Sequence, residues 1–355
     1  MATWTLMGFT TRQSLGVCIA PNGTFYTNST SAGGGGRVSG VHKGLNYTDP
    51  VFQTAMASPI GMCNGSGNDI YANNYNGAGI YKSIDGAGFI SIASGGCYPG
   101  YSIAYNPTTD TLYQTGQLGH VGPTDCFSRT PSDSGSWTNI TNINHNAMTA
   151  LCVNNAIDGS VYIGIDGAWG TGAVGIYKQT AGVGSFVRTT FLGSSSPMAA
   201  SPNGNVYVYY NLKLYKQTAG VGDFNEVTGI TNPSAPGAQV SAMAFDSYGF
   251  LYIVSQAVQD VYKIALDDEV ISDSYTYNLY WSTVGGNSGF SPSEIAGTEI
   301  PTVTSPYDHT DLTAGIPYYY VVTAVSAKTA LESIASNEVS AIPTGPGNTA
   351  GQIIW

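Results

Sequence analysis

Between residues 21 and 252 one short phrase recurs six times: a chain-turning cluster, an apolar residue, then a tyrosine. The copies are Pro21-Asn22-Gly23-Thr24-Phe25-Tyr26, Gly67-Asn68-Asp69-Ile70-Tyr71, Thr109-Asp110-Thr111-Leu112-Tyr113, Asp158-Gly159-Ser160-Val161-Tyr162, Asn203-Gly204-Asn205-Val206-Tyr207 and Tyr248-Gly249-Phe250-Leu251-Tyr252. Successive tyrosines stand 45, 42, 49, 45 and 45 positions apart. A fixed period of this size marks a supersecondary unit that buries its apolar face only by stacking on copies of itself.

The rest of each repeat says what that unit is. An apolar run such as Leu15-Gly16-Val17-Cys18-Ile19-Ala20 or Ala242-Met243-Ala244-Phe245 precedes the turn and suits an inner strand covered on both faces. A loop of variable length follows the tyrosine, then a second aromatic strand: Ile80-Tyr81-Lys82, Ile176-Tyr177-Lys178, Leu214-Tyr215-Lys216 or Val261-Tyr262-Lys263. A glycine turn and a further aromatic segment close the unit, as at Phe186 and Phe224. Tyr177–Gly184 and Tyr215–Gly222 both read Tyr-Lys-Gln-Thr-Ala-Gly-Val-Gly, which is internal duplication. Four strands per period predict an all-β fold, a six-bladed β-propeller. The sixth repeat has no closing aromatic segment, and Ala2-Thr3-Trp4-Thr5-Leu6 matches Ser136-Trp137-Thr138-Asn139-Ile140 from the third. Residues 2–10 are therefore expected to supply the outer strand of the last blade, closing the ring without an open edge.

Composition narrows the function classes. Charged residues are 9% and net charge is −11, which argues against nucleic acid or an anionic membrane as partner. No apolar run is long enough to insert in a membrane, and the first residues lack the basic-then-apolar pattern of a secretory signal. Cys18, Cys63 and Cys152 fall at inner-strand positions and read as small buried hydrophobes. Whether Cys97 and Cys126 pair is open at this level. His42, His120, His145 and His309 are scattered and there is no Cys-x-x-Cys, so neither metal site nor cofactor is expected.

Past residue 266 the pattern changes. Tyr277-Asn278-Leu279-Tyr280-Trp281, Leu312-Thr313-Ala314-Gly315-Ile316-Pro317-Tyr318-Tyr319-Tyr320 and Ser336-Asn337-Glu338-Val339-Ser340-Ala341 resemble the second half of a fibronectin type III domain. The resemblance implies a small β-sandwich over residues 267–344, without that family's first two strands. A sandwich short of strands exposes edges that invite pairing with a neighbour. Residues 345–355 read as a tail whose apolar tip, Ile353, Ile354 and Trp355, is a candidate assembly contact or is unstructured. The domain reading is thus 1–266, 267–344 and 345–355.

Two segments, Ser83-Ile84-Asp85-Gly86-Ala87-Gly88-Phe89 and Ser132-Asp133-Ser134-Gly135-Ser136-Trp137, resemble the Asp-box turn of sialidases, with altered spacing. In that family the box is a structural turn. A sialidase-like centre also needs an arginine cluster and a tyrosine–glutamate pair. Here Arg12, Arg37, Arg129 and Arg188 lie in four different repeats, and the first glutamate is Glu226. No catalytic residues are assigned. Binding is the better expectation, on the face where second-to-third-strand loops and blade-to-blade loops emerge together. That face gathers Tyr75, Tyr98, Tyr101, His120, Asp125, His145, Asp166 and Trp169, rings and polar groups of the kind that stack on and hydrogen-bond sugars.

Three classes fit: a structural or attachment protein of a phage particle, a secreted bacterial lectin-like adhesin or surface filament component, and a glycan-active hydrolase. Few charges and a propeller joined to a fibronectin-like module resemble bacteriophage virion attachment and decoration proteins. The expected location is the virion, or alternatively the cell surface. The expected partners are other virion or surface-assembly proteins, copies of this chain, and cell-surface glycan.

Overall fold

The computed structural model describes residues 4–9, 16–29, 40–44, 51–55, 59–74, 79–93, 100–116, 125–130, 137–141, 148–165, 174–190, 192, 196–230, 240–255, 260–266, 269, 275–326, 332–344 and 352–353, some of them, Tyr101, Gln352 and Ile353 included, by backbone alone. They form two compact units, Met1–Ile271 and Ser272–Trp355.

The first unit holds six antiparallel four-stranded sheets. Blade one is Val17–Ile19, Phe25–Ser29, Gly40–Gly44 and Val51–Ala55, in sequence order. The next four run from Pro59–Asn64 to Ile90–Ala93, Gly100–Asn106 to Thr138–Asn139, Met148–Asn154 to Val187–Thr190, and Met198–Ala200 to Asn225–Glu226. Blade six joins Val240–Phe245, Phe250–Ser255 and Asp260–Ala265 to an outer strand, Thr5–Phe9, from the start of the chain. The expected ring closure is present, with Leu6 opposite Tyr262 and Phe9 opposite Asp260. Cys18, Cys63 and Cys152 sit opposite the repeated tyrosines on the inner strands, and burial pushes all three thiols up, Cys152 to about 12. Cys97, and so its pairing with Cys126, lies outside the described residues.

The repeated tyrosines join the blades. Five of them, Tyr26, Tyr71, Tyr162, Tyr207 and Tyr252, are among the largest side chains wholly removed from water. Each of the six reaches the following blade. Tyr26 meets Phe89 edge-on at 6.4 Å, Tyr71 meets Tyr105 at 5.2 Å, and Tyr252 meets Phe25 at 6.4 Å across the closed seam. The Tyr162 hydroxyl donates to Gln217 Oε1 (2.9 Å), and the Lys178 ammonium donates to the Gly220 carbonyl of the same turn (2.9 Å). Tyr113 approaches Gly182 so closely that a Cβ there would lie 2.7 Å from its hydroxyl. This explains both glycines of the duplicated turn: Gly182 (φ +67°) and Gly220 (φ +68°) need left-handed backbone and also room for a neighbour's ring. A lysine stacks over the tyrosine of its own blade in four cases, Lys82, Lys178, Lys216 and Lys263.

Blade six breaks the scheme, because its outer strand comes from the other end of the chain and no third-to-outer-strand turn follows Ala265. Tyr207 of blade five therefore has no such turn to meet. Glu269 takes its place. Its Oε1, in a residue with no exposed surface, accepts hydrogen bonds from the Tyr207 hydroxyl (2.6 Å) and Asn205 Nδ2 (2.5 Å), with the Lys216 ammonium at 3.6 Å. The unit boundary accordingly falls after Ile271 rather than after residue 266.

The second unit is built on a four-stranded sheet in the order Thr298–Val303, Tyr275–Ser282, Tyr318–Ser326, Val339–Ala341. Leu279, Val303, Leu312, Tyr318, Tyr320 and Val322 form its core. The Tyr318 hydroxyl accepts from the Thr313 amide (3.0 Å), fixing the corner that leads into its strand. A separate two-stranded pair joins Tyr307–Asp308 to Gln352–Ile353. The tail, expected either to dock on a partner or to be unstructured, thus pairs within its own unit at Ile353; Ile354 and Trp355 lie outside the described residues. His309 packs between Trp281 (5.1 Å) and Tyr320 (5.7 Å), its Nδ1 3.1 Å from the Tyr320 hydroxyl, and burial lowers its pKa while Asp311 partly opposes this.

Two outcomes follow. Glu269→Leu strips the carboxylate from Tyr207, Asn205 and Lys216 together, and is expected to cost about 3–5 kcal/mol. The exposed pair Lys213–Glu226, at a similar 2.7 Å, contributes little because water screens it, so Lys213→Ala should leave thermal unfolding nearly unchanged. Equal effects of the two substitutions would contradict the clamp. For His309, a folded-state pKa below the ordinary 6.5 means the unfolded chain binds more protons. Stability of the second unit should be full above that value and fall as pH drops through it. His309→Gln should flatten this dependence in urea midpoints taken from about pH 7.5 to about pH 5; an unaltered slope would refute the assignment.

Candidate binding site

The loop-rich rim was the expected site. Tyr75, Tyr98, His120, His145, Asp166 and Trp169 lie outside the described residues, and Tyr101 is placed only as backbone near the start of strand Gly100–Asn106. Asp125 is described, and it belongs to a strand. It opens the third strand of blade three opposite Gly116, and its Oδ2 accepts from Asn139 Nδ2 of the outer strand (2.9 Å). Burial raises its pKa against the lowering effect of that bond. Within blades two, three and four the second strand, Ile70–Asn74, Thr111–Gly116 or Ser160–Ile165, ends where the third strand, Ile80–Ser83, Asp125–Arg129 or Gly175–Gln179, begins, as an antiparallel meander requires.

The opposite rim carries the turns between first and second strands, and these surround a cavity of about 340 Å³. Its lining comes from five blades: Ile19 and Pro21, Asn64, Val153 to Ala156 without Asn154, Ala200 to Pro202, and Phe245 to Ser247. The residue ending each inner strand shapes its turn. Asp246 Oδ1 accepts from the Tyr248 and Phe250 amides (both 2.9 Å) while Oδ2 accepts from the Tyr252 hydroxyl (3.0 Å). Asn106 Oδ1 accepts from the Thr108 amide (2.9 Å), and Ser201 Oγ from the Asn205 amide (3.1 Å). These are the local side-chain bonds that let Asp, Asn and Ser start turns.

The turns are also tied across blades. Asn64 Nδ2 donates to the Ile19 carbonyl (2.6 Å) and Asn155 Nδ2 to the Tyr105 carbonyl (2.9 Å). Asn64 Oδ1 is shielded from solvent and has no partner among the described residues. The cavity is lined by neutral polar groups and apolar surface, and its one carboxylate, Asp246, is already bonded to three donors. The cup is of a size and polarity to hold a small hydroxyl-bearing molecule or water. Among the described residues no cluster of His, Cys, Asp and Glu is arranged to hold a metal, and no helix is long and apolar enough to cross a membrane. The turn residues were visible in the sequence as turn formers; their convergence on one cup was not.

With this geometry in view, comparison with known proteins is informative about the fold. No family model matches the chain. A stretch of 98 residues is 36% identical to an amylopullulanase of Thermoanaerobacter thermohydrosulfuricus, spanning 28% of this chain and 6% of that protein. Among solved structures, a Bacteroides thetaiotaomicron protein of unknown function aligns with a TM-score of 0.59 at 13% identity, over 75% of this chain and 76% of its own. A gluconolactonase of Xanthomonas campestris aligns at 0.54 and 13%, over 75% and 89%. A streptogramin B lyase aligns at 0.52 and 11%, over 74% and 97%. The fold is a β-propeller. Two of these three neighbours are named as enzymes, and at such identities they speak for the scaffold alone.

The turn-face cup makes one direct prediction. Asp246→Ala removes acceptors from two amides and the Tyr252 hydroxyl, and is expected to cost about 1–3 kcal/mol. Asp246→Asn should cost less, since it keeps one acceptor. Measured unfolding midpoints in the reverse order would contradict the capping role.

Proposed function

We propose that this chain is a non-enzymatic structural and attachment protein of a phage particle, tail- or capsid-associated. In this reading the second unit is a fibronectin type III-like module, supported by the Tyr318 corner and the four-strand order. The propeller presents its loop-rich rim, with Tyr75, Tyr98, Tyr101, His120, Asp125, His145, Asp166 and Trp169, to a cell-surface glycan. The second unit serves assembly with other particle proteins or with copies of this chain.

The observation that carries the reading is the shape of the second unit's smaller sheet. It has two strands of two residues each, one of them borrowed from the tail, and so offers backbone for pairing. Large apolar side chains lie exposed on the same unit, with Val284 at 68%, Ile334 at 65% and Ile342 at 57%. These side chains are available to pack against a partner.

A glycan-active enzyme is the second reading, favoured by the 98-residue likeness to an amylopullulanase and by a gluconolactonase among the propeller neighbours. Light scattering on the whole chain and on a chain ending at Ile271, which keeps Glu269, separates the classes. A large assembly that becomes monomeric on truncation is the expected result. Monomers in both cases would remove the assembly role, and polysaccharide turnover by the whole chain would establish the enzyme instead.

A further inference from the structure

The small sheet of the second unit also indicates how copies would join. We infer that the strand Gln352–Ile353 is exchangeable, and that in the assembled state it pairs with Tyr307–Asp308 of another copy of this chain. The inference rests on the assembly reading and names its contact.

Three observations support it. The acceptor strand does not depend on the tail for its place, because Tyr307 packs against the core formed by Leu279, Val303, Leu312, Tyr318, Tyr320 and Val322 of the larger sheet. Pairing through Tyr307 opposite Ile353 and Asp308 opposite Gln352 uses backbone groups, which an identical strand from a second copy supplies equally well. The tail is joined to the outer strand Val339–Ala341 only through residues 342–351, which include Pro343, Gly345, Pro346, Gly347 and Gly351. A linker of that composition and length spans up to about 35 Å when extended, enough to reach a neighbour.

The same contacts form within one chain or between two, so concentration decides between them. Within a chain, a short linker gives an effective concentration of roughly millimolar. Copies held side by side in a particle reach comparable values. Val339 and Ile342, 56% and 57% exposed, flank the root of the tail. Exchange of an identical element is a low-cost route to self-association, since no new interface must be created. Donor and acceptor are different patches, so the contact propagates into a ring or filament unless two copies exchange reciprocally.

The test uses the whole chain. Asp308→Cys and Gln352→Cys are placed on separate chains of different mass tag, mixed at high concentration and oxidised, and are also combined on one chain, the double variant, with the parent chain as control for its own cysteines. Asp308 is exposed, so its replacement leaves the core untouched. The expected product is a covalent pair containing one chain of each tag, absent from the control. As a second readout, a chain ending at Thr344 should lose the assembly seen by light scattering. If the whole chain assembles, yet the double variant links only within itself and the chain ending at Thr344 still assembles, exchange is overturned and the assembly reading stands. A whole chain that stays monomeric, with linkage only within single chains, overturns both. A folded double variant that forms no linkage of either kind overturns the pairing itself.

Discussion

The ring depends on a tyrosine placed once per blade at the start of the second strand. A buried tyrosine removes about 150–250 Å² from water and carries one hydroxyl that must be paired. The adjoining blade covers the ring, as where Tyr71 meets Tyr105, and for Tyr162 of blade four its third-to-outer-strand turn also accepts the hydroxyl, while Tyr252 bonds to Asp246 of its own blade. Each blade is thus positioned by its predecessor, and the angle between neighbours is set by contacts of one repeated kind. The cup on the turn face and the loop rim opposite both inherit their spacing from this arrangement.

A ring assembled this way has one exceptional joint. Taking the outer strand of blade six from Thr5–Phe9 pairs the sheet edge, but it deprives that blade of the turn its neighbour needs. Glu269 resolves the conflict with a buried carboxylate, a costly group that persists only when its oxygens are matched by donors. Its second oxygen has no partner among the described residues, so the match is incomplete. The joint is chemically unlike the others, and there the ring relies on charge rather than on a carbonyl.

Much of this was legible in the chain. Tyr26 and its five counterparts announced the period, and the likeness of Trp4 to Trp137 announced the closure, because duplication preserves local pattern. Glu269 was not legible. It stands past the last repeat in an acidic run, Asp267-Asp268-Glu269, that the sequence pattern assigns with residues 267–344 to the second domain, and its partner Tyr207 is remote in sequence. Asp125 was read as a loop residue because loop ends have no local signature; strand pairing with Gly116 decided it. The cup escaped notice for a related reason, since each turn contributes one to three residues and only the ring brings them together. Pairing of Gln352–Ile353 with Tyr307–Asp308 depends on long-range register that apolar pattern alone cannot specify.

The position of Glu269 gives the joint a mechanical meaning. It is nearly the last residue of the propeller before the chain passes into the second unit, so any pull on that unit travels along the backbone to this side chain first. A load would meet a carboxylate gripped at once by a tyrosine, an asparagine and a lysine of blade five, before it could begin peeling Asp260–Ala265 from its neighbours. The residue at the irregular joint is thus also placed as the propeller's strain relief.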